Sequence, residues 1–302
     1  MTPDERNSFK KWLKGIPYEI SFWKSYYSHR RSLKALDSWS DYGKECRLDD
    51  FDIIEFAASC SSTPLFIDLG CALSYTFGTE FRGIPVRVDR VDPLASFYNR
   101  ILERHAPEKP RIRFGMLESV SVAYKEGSVD LIHVRNALDH SANPTLGIME
   151  CLKCLRVGGV LYLNHHHNEA LRENYRGFHQ YNVDIDGDKL VIWNNDNRYD
   201  INEMLSGIAT VRCSVAANGH IVGIITKNTD LDSDSTPDTE ARMSEMLVMT
   251  LETINSFSFA LKYKAAMIVA SIAHPVMRRI PRNLVDKLKH SLRKKKNGIS
   301  II

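Results

Sequence analysis

Between residues 64 and 227 the apolar positions change period in a regular way. "PLFIDLG" is an apolar run of strand length that stops at a turn. "PVRVDRVDP" alternates valine with polar residues up to Asp92 and Pro93. "LASFYNRILERHA" then puts Leu94, Phe97, Ile101 and Leu102 at helical spacing; "RIRF" reads as a short strand and "SVDLIHVRN" as another apolar strand. "PTLGIMECLKCLRVGG" opens on Pro144, keeps a helical period and is expected to stop at Gly158 and Gly159, before a strand in "VLYLNHH". Strands alternating with helices predict a mostly parallel sheet covered on both faces.

The period then shortens to 2. "YNVDIDGDKLVIWN" turns about Asp186-Gly187-Asp188, and "TVRCSVAANGHIVGIITKN" about Asn218-Gly219, so two hairpins are expected with a short helix, "DINEMLSGI", between them. "NTDLDSDSTPDTEAR" reads as an acidic linker, and helical patterns over about 243–271 and 281–296 finish the chain. At the front, residues 18–39 are crowded with aromatics, which suits a helix that packs on the main domain and covers an acceptor pocket. The expected organisation is a helical, aromatic lid segment at 1–50, an α/β domain at 51–228, a linker at 229–241 and C-terminal helices at 242–302.

Composition narrows this picture. The chain has 302 residues, 43% of them hydrophobic and 25% charged, the balance of a soluble globular protein. No apolar run approaches the roughly 20 residues that span a bilayer, and "MTPDERNSFKKWLKG" is polar where a secretion signal would be apolar. A cytoplasmic location is expected. The six cysteines are scattered; "CLKC" lacks a second pair, so buried thiols in a reducing compartment are expected. Residues 278–296 carry nine Lys and Arg against one acid, Asp286, a local charge of +8 that leaves −5 on the rest of the chain. A basic nucleic-acid footprint over the body is therefore not expected, and the tail lacks the aromatics that stack on bases. Its Leu284, Val285, Leu288 and Leu292 form an apolar stripe among lysines, suited to an anionic membrane surface or to a partner protein.

Candidate chemistry gathers at strand ends, where open α/β sheets bind ligands. Asp68 ends the first strand before Gly70, Asp92 ends the second before Pro93, and Glu118 follows the third. An acid after strand two can accept from both hydroxyls of a ribose. Gly70 lets backbone approach a ligand closely. A pyrophosphate-cradling loop would need further glycines, yet Cys71, Ala72, Leu73 and Ser74 follow and the next glycine is Gly78. A nucleoside ligand without phosphate fits better. S-adenosylmethionine is one, carrying a sulfonium and an ammonium.

These motifs together resemble the class I S-adenosylmethionine-dependent methyltransferases over about residues 64–195. "FIDLGCALS" resembles the first family motif, with Asp68, Gly70 and Cys71 beside the cofactor. "VDPLASFYN" resembles the second and implies that Asp92 and Pro93 meet the ribose. "FGMLESV" is similar to the adenine-lining segment, with Leu117 and Glu118. "SVDLIHVRNALDHSANP" resembles the fourth, where Asn136 to His140 pass the transfer centre, and "LRVGGVLYL" resembles the turn into strand five. The resemblance implies a Rossmann-like α/β fold: a seven-stranded, mostly parallel sheet ending in an antiparallel hairpin. "RNALDHSANP" with "HHHNEALRENYRGFHQYNVDIDGDKLVIWN" further resembles a bacterial methyltransferase group associated with O-antigen and other surface glycans. That group usually has glycine and proline where this chain has Ala72 and Leu73.

The implied reaction is O-methylation of a sugar hydroxyl in a surface polysaccharide or its lipid-linked precursor, at the inner membrane face. A hydroxyl is a poor nucleophile near neutral pH, so a base is expected, and histidine is the usual choice. The candidates are His140, beside Asp139, and His165 and His167, which share one face if strand five continues through them. Asp139, Tyr175, Arg176, His179, Tyr181 and Trp193 suit a sugar acceptor. "HHH" with Asp139 and Glu169 offers metal ligands, but adjacent strand residues face opposite ways, and no metal is expected. Two rivals remain open: a methyltransferase for a small quinone- or polyketide-like acceptor, which would want an apolar pocket, and a non-catalytic scaffold with the same fold.

Overall fold

The computed structural model describes residues 1–27, 47–74, 76–231 and 238–277. The basic pattern at 281–296, residues 232–237 of the acidic linker and residues 28–46 of the lid segment lie outside the described residues.

The chain opens with α1 (Pro3–Tyr27) and, further on, α2 (Ile53–Ser59), which starts at Asp52 because that side chain accepts from the Ile54 and Glu55 N–H groups. β1 (Leu65–Leu69) is buried along its length. Side chains alternate across it, so Leu65, Ile67 and Leu69 enter one core cluster and Phe66 the cluster on the opposite face. A small hairpin, β2 (Glu80–Phe81) with β3 (Ile84–Pro85), leads to β4 (Arg87–Val91), then α3 (Ala95–His105) and β5 (Val129–Arg135). Next come α4 (Pro144–Cys154), β6 (Leu155–His166) and α5 (Glu169–Arg172). A three-stranded sheet follows, β7 (Asn182–Asp186), β8 (Lys189–Trp193) and β9 (Arg198–Asp200), then α6 (Ile201–Met204). β10 (Ala209–Val215) and β11 (His220–Lys227) complete the main sheet, and α7 (Thr239–Ile254) and α8 (Phe257–Met277) close the described chain.

The main sheet runs β10-β11-β6-β5-β1-β4. β1, β4, β5 and β6 are parallel, and β11 runs antiparallel to both β6 and β10. This is the Rossmann-like methyltransferase architecture with an antiparallel end, but with six strands rather than the expected seven. The missing strand is "RIRF". It is confined between Pro110 and Gly115, and only Arg113 pairs, as a bridge to Val91, bonding Arg90 O at 2.7 Å and Asp92 N at 3.0 Å. Ile112 turns its backbone groups to the Asn99 side chain instead.

Three boundaries also depart from the periodicity. α4 starts as expected, with Asn143 accepting from Leu146 N and Pro144 in the first turn, but it ends at Cys154. Gly158 and Gly159 lie inside β6, not at a helix end. A Cβ on Gly159 would sit 3.0 Å from Asp130 O, and the β5–β6 register shifts there, so the glycines serve a bulge. The long C-terminal pattern breaks at Ser256, whose hydroxyl accepts from Phe259 N and starts a new helix. The described cysteines are free, and burial pushes the Cys154 thiol up to about 12, consistent with inert core thiols.

α1 presents Phe9, Trp12, Leu13, Ile16 and Ile20 at helical spacing to a second core cluster shared with α3, α7 and α8. It thereby lies over the carboxyl ends of the parallel strands. No described helix is long and apolar enough to cross a membrane.

Candidate active site

The carboxyl end of β1 delivers the chain into Gly70, which takes φ +70° and donates its N–H to Val91 O at 2.8 Å. A Cβ there would lie 2.4 Å from the Ala137 Cβ, so the position needs glycine for space as well as for conformation. Ala72 also sits at positive φ, +46°, which explains why glycine is the usual residue of the resembled group at this point.

Asp92 follows β4 and holds this turn: one carboxylate oxygen accepts from Ala72 N at 2.9 Å and the other from Leu94 N at 2.7 Å. A carboxylate has about four lone-pair positions, so two remain for hydroxyl donors. Burial pushes Asp92 up to about 7, although both N–H bonds pull the other way. Asp68 is fixed by His133 Nδ1 at 2.8 Å and accepts from Thr76 N. Glu118 is buried and accepts from Ala142 N at 2.6 Å, which ties the segment after β4 to the loop after β5.

These groups line a cavity of about 1350 Å³, with Pro93, Leu117 and Asn136 beside them. That volume exceeds a typical small-molecule site and leaves room for two ligands. α1 roofs the cavity with Trp12, Glu19 and Trp23, and Trp12 stacks on Phe178 at 5.1 Å.

Polar side chains share the cavity wall with the aromatics of α1 and Phe178. Arg135, His140, His166, Glu169, Arg176 and His179 are among them. His220 joins them from the tip of the last hairpin, because the antiparallel register of β11 sets it opposite His166, with ring centroids 4.2 Å apart. Asp139 lies behind this wall, buried, and accepts from His179 Nδ1 at 2.8 Å. His140 and His179 hold the Asp139 carboxyl below the usual carboxylate range, although burial alone would raise it. Burial likewise would lower His179, but Asp139 outweighs it and raises that ring. Burial, helped by the Asp139 charge, pushes Glu169 up to about 7.

The fold therefore gathers Asp68, Gly70, Cys71, Asp92, Pro93, Leu117, Glu118, Asn136, His140, Arg176 and His179 around one cavity. It sends other candidates elsewhere. His165 is buried beneath Asp139, and burial lowers it to about 4. His167 is exposed and bound to Asp184. Tyr181 gives its hydroxyl to Ala142 O, Tyr175 accepts from Asn182, and Trp193 sits on β8 beside Asn182, none of the three on the cavity wall. Sequence reasoning left out His220, and held His166 only as one of the clustered histidines and Glu169 only as a possible metal ligand. Pairing the last hairpin against strand five would have found the two histidines.

Residues 67–163 match the family model described as a methyltransferase domain. The chain carries a methyltransferase domain. That match covers about a third of the chain and supports an S-adenosylmethionine-dependent methyltransferase in general, with S-adenosylmethionine as cofactor. No curated protein matches the chain. Among solved structures, the methyltransferase is similar to the CurJ carbon methyltransferase at 11% identity and a TM-score of 0.42, over 57% of this chain and 51% of that one. It is similar to the Thermus thermophilus 16S rRNA N2 G1207 methyltransferase RsmC, in complex with AdoMet and guanosine, at 12% identity and 0.37, over 65% and 43%. An S-adenosylmethionine-dependent methyltransferase from Clostridium acetobutylicum gives 14% identity and 0.39, over 60% and 94%. The chain thus spans about half or less of the first two structures.

The residues present suit the cofactor. Gly70 provides the positive-φ turn beside the cavity, and Asp68 and Asp92 offer carboxyl acceptors to a cationic nucleoside. At pH 7 Asp92 is about half protonated; a cationic, hydroxyl-bearing ligand favours its charged form, so binding should release about half a proton. Calorimetry in buffers of different ionisation enthalpy reads this directly. Asp92→Asn should abolish the release and weaken binding on the order of tenfold.

Proposed function

We propose that this methyltransferase transfers the methyl group to a hydroxyl of a sugar, in a bacterial surface polysaccharide or its lipid-linked precursor. The observation that carries this reading is the group of polar side chains on the cavity wall contributed by the loop after β5, the end of β6, α5 and the tip of β11. Histidines, Glu169 and two arginines face a space where a flat aromatic acceptor would call for apolar side chains. The resemblance of "RNALDHSANP" and the following segment to the glycan-associated group points the same way.

S-adenosylmethionine, when bound, supplies an electrophilic methyl carbon on a sulfonium. The chain's own contribution is alignment and proton removal. Asp68, Gly70, Asp92 and Glu118 would hold the nucleoside, and Arg176 and His166 would position the acceptor. Glu169 would take the proton from the acceptor hydroxyl as that oxygen becomes the nucleophile. Its position on the wall and its elevated pKa suit a base working near neutrality. His140 serves this role less well, because its Nε2 faces His179 Nδ1 at 3.2 Å and Asp139 behind it.

A lipid-linked acceptor calls for membrane attachment. α8 exposes Phe257, Leu261 and Ile268, and the chain continues into the basic 278–296 segment. Apolar contact followed by cationic residues suits the anionic inner face of a bacterial membrane. Incubating the protein with methyl-labelled cofactor and a panel of lipid-linked glycans tests the reading. Label in a glycan is the expected result. Transfer to aromatic or polyketide acceptors alone, or no cofactor binding at millimolar concentration, overturns it.

A further inference from the structure

The geometry points to a divalent-cation site at the cavity wall, built by Asp139, His140 and His179. Three ligand-type atoms converge there. His179 Nδ1 lies 2.8 Å from Asp139 Oδ2 and 3.2 Å from His140 Nε2, and His140 Nε2 lies 3.4 Å from the same Oδ2. The same nitrogen of His179 makes both of its contacts. A proton relay would pass through the ring, entering at one nitrogen and leaving at the other. Here the three atoms instead form one small triangle. One proton between them satisfies two of the three contacts at most, and two protons, both directed at Oδ2, leave the two nitrogens facing each other as N–H against N–H. A single cation satisfies all three at once. Ligand atoms bound at about 2.0–2.2 Å to one ion stand roughly 3.0–3.4 Å apart, close to the spacings found.

A second observation supports the site from below. Asp139 Oδ1 and both ring nitrogens of His165 are buried with no hydrogen-bond partner. His165 Nδ1 lies 3.8 Å from that Oδ1. A small rotation of the carboxylate, as its other oxygen takes an ion, closes this contact. It is the outer contact that orients a metal-binding carboxylate. The cluster is also open on one side only: the Asp139 side chain is 3% exposed, while His140 and His179 are 18% and 23% exposed and line the cavity.

Two imidazoles and one carboxylate suit a first-row divalent transition ion from Mn²⁺ to Zn²⁺, with coordination positions left open toward the acceptor. This deepens the hydroxyl-methylation reading and rests on it for its purpose. The ion would bind the acceptor hydroxyl and make its proton more acidic. That proton leaves to Glu169, the oxygen takes the methyl group, the sulfonium becomes a thioether, and the ion keeps its oxidation state. From the sequence, the three adjacent histidines with Asp139 and Glu169 were the possible ligands, and no metal was expected. The fold separates those three and brings in His179 from the segment after α5 instead.

The test is Mn²⁺ titration of the chelator-treated full chain, followed by electron paramagnetic resonance, with Co²⁺ absorption as a second probe. One ion per chain is expected, weakened at least tenfold in His140→Gln and in His179→Gln and unchanged in His105→Gln. Cofactor binding by each variant checks that it is folded. No binding at millimolar Mn²⁺ and Co²⁺, or equal binding in both variants, overturns the site. If glycan methylation proceeds at full rate in excess chelator, the cation falls and the function stands. If the ion binds and no hydroxyl acceptor is methylated, the function falls and the site stands.

Discussion

Glu169→Gln should cut methyl transfer by about 10²–10⁴-fold, the usual contribution of a positioned base, while leaving the cofactor Kd within about twofold. Glutamine keeps the shape and the hydrogen-bonding reach of the side chain but cannot take a proton at neutral pH. Glu169 comes from α5 after β6, whereas Gly70 and Asp92 follow β1 and β4, so the nucleoside should not feel the change. The pH profile adds a sign. Burial raises the folded pKa of Glu169 to about 7, so the carboxyl is protonated and idle below that pH. The rate should rise through about 7 and level off above it, and the variant should lose that rise. A cation at Asp139 would favour the charged carboxylate and draw the limb to lower pH. A variant that keeps a third of the wild-type rate, or the same limb, would remove Glu169 from the base position.

Gly70→Ala should abolish cofactor binding and lower stability by about 2–4 kcal/mol, combining positive-φ strain with overpacking. The two causes separate experimentally. The new Cβ meets Ala137 Cβ at 2.4 Å, so adding Ala137→Gly should recover the steric share and leave the conformational share at φ +70°. Denaturant midpoints of the single and double variants measure this, with calorimetry for the cofactor. A single variant with wild-type midpoint and affinity would show that the turn relaxes freely, and the argument for a tight cradle would fail.

Much of the sheet was legible because its signals are local. The buried run of β1, the Asp-Pro after β4 and the Asn-Gly of the last hairpin each carry their own instruction. The errors arose where the decisive partner is distant in sequence. Gly158 and Gly159 resemble a helix stop until Asp130 O is seen beside them. "RIRF" has strand composition, yet its length between Pro110 and Gly115 allows one paired residue. In the site, the cofactor carboxylates were readable because strand ends mark them. The acceptor wall was not, because it joins side chains from the loop after β5, the end of β6, α5 and the tip of β11. A run of three histidines draws the eye, but strand alternation and the end of β6 scatter it over three environments.

The order of synthesis gives the roof a further meaning. α1 leaves the ribosome long before α7 and α8, the helices it shares a core with. Until they emerge, Phe9, Trp12, Leu13 and Ile16 lack part of their cover. Contacts this far apart in sequence form late and leave apolar surface in need of protection. The nascent chain thus completes its sheet before its ligand chamber, whose roof gains its full cover only once α7 and α8 have emerged.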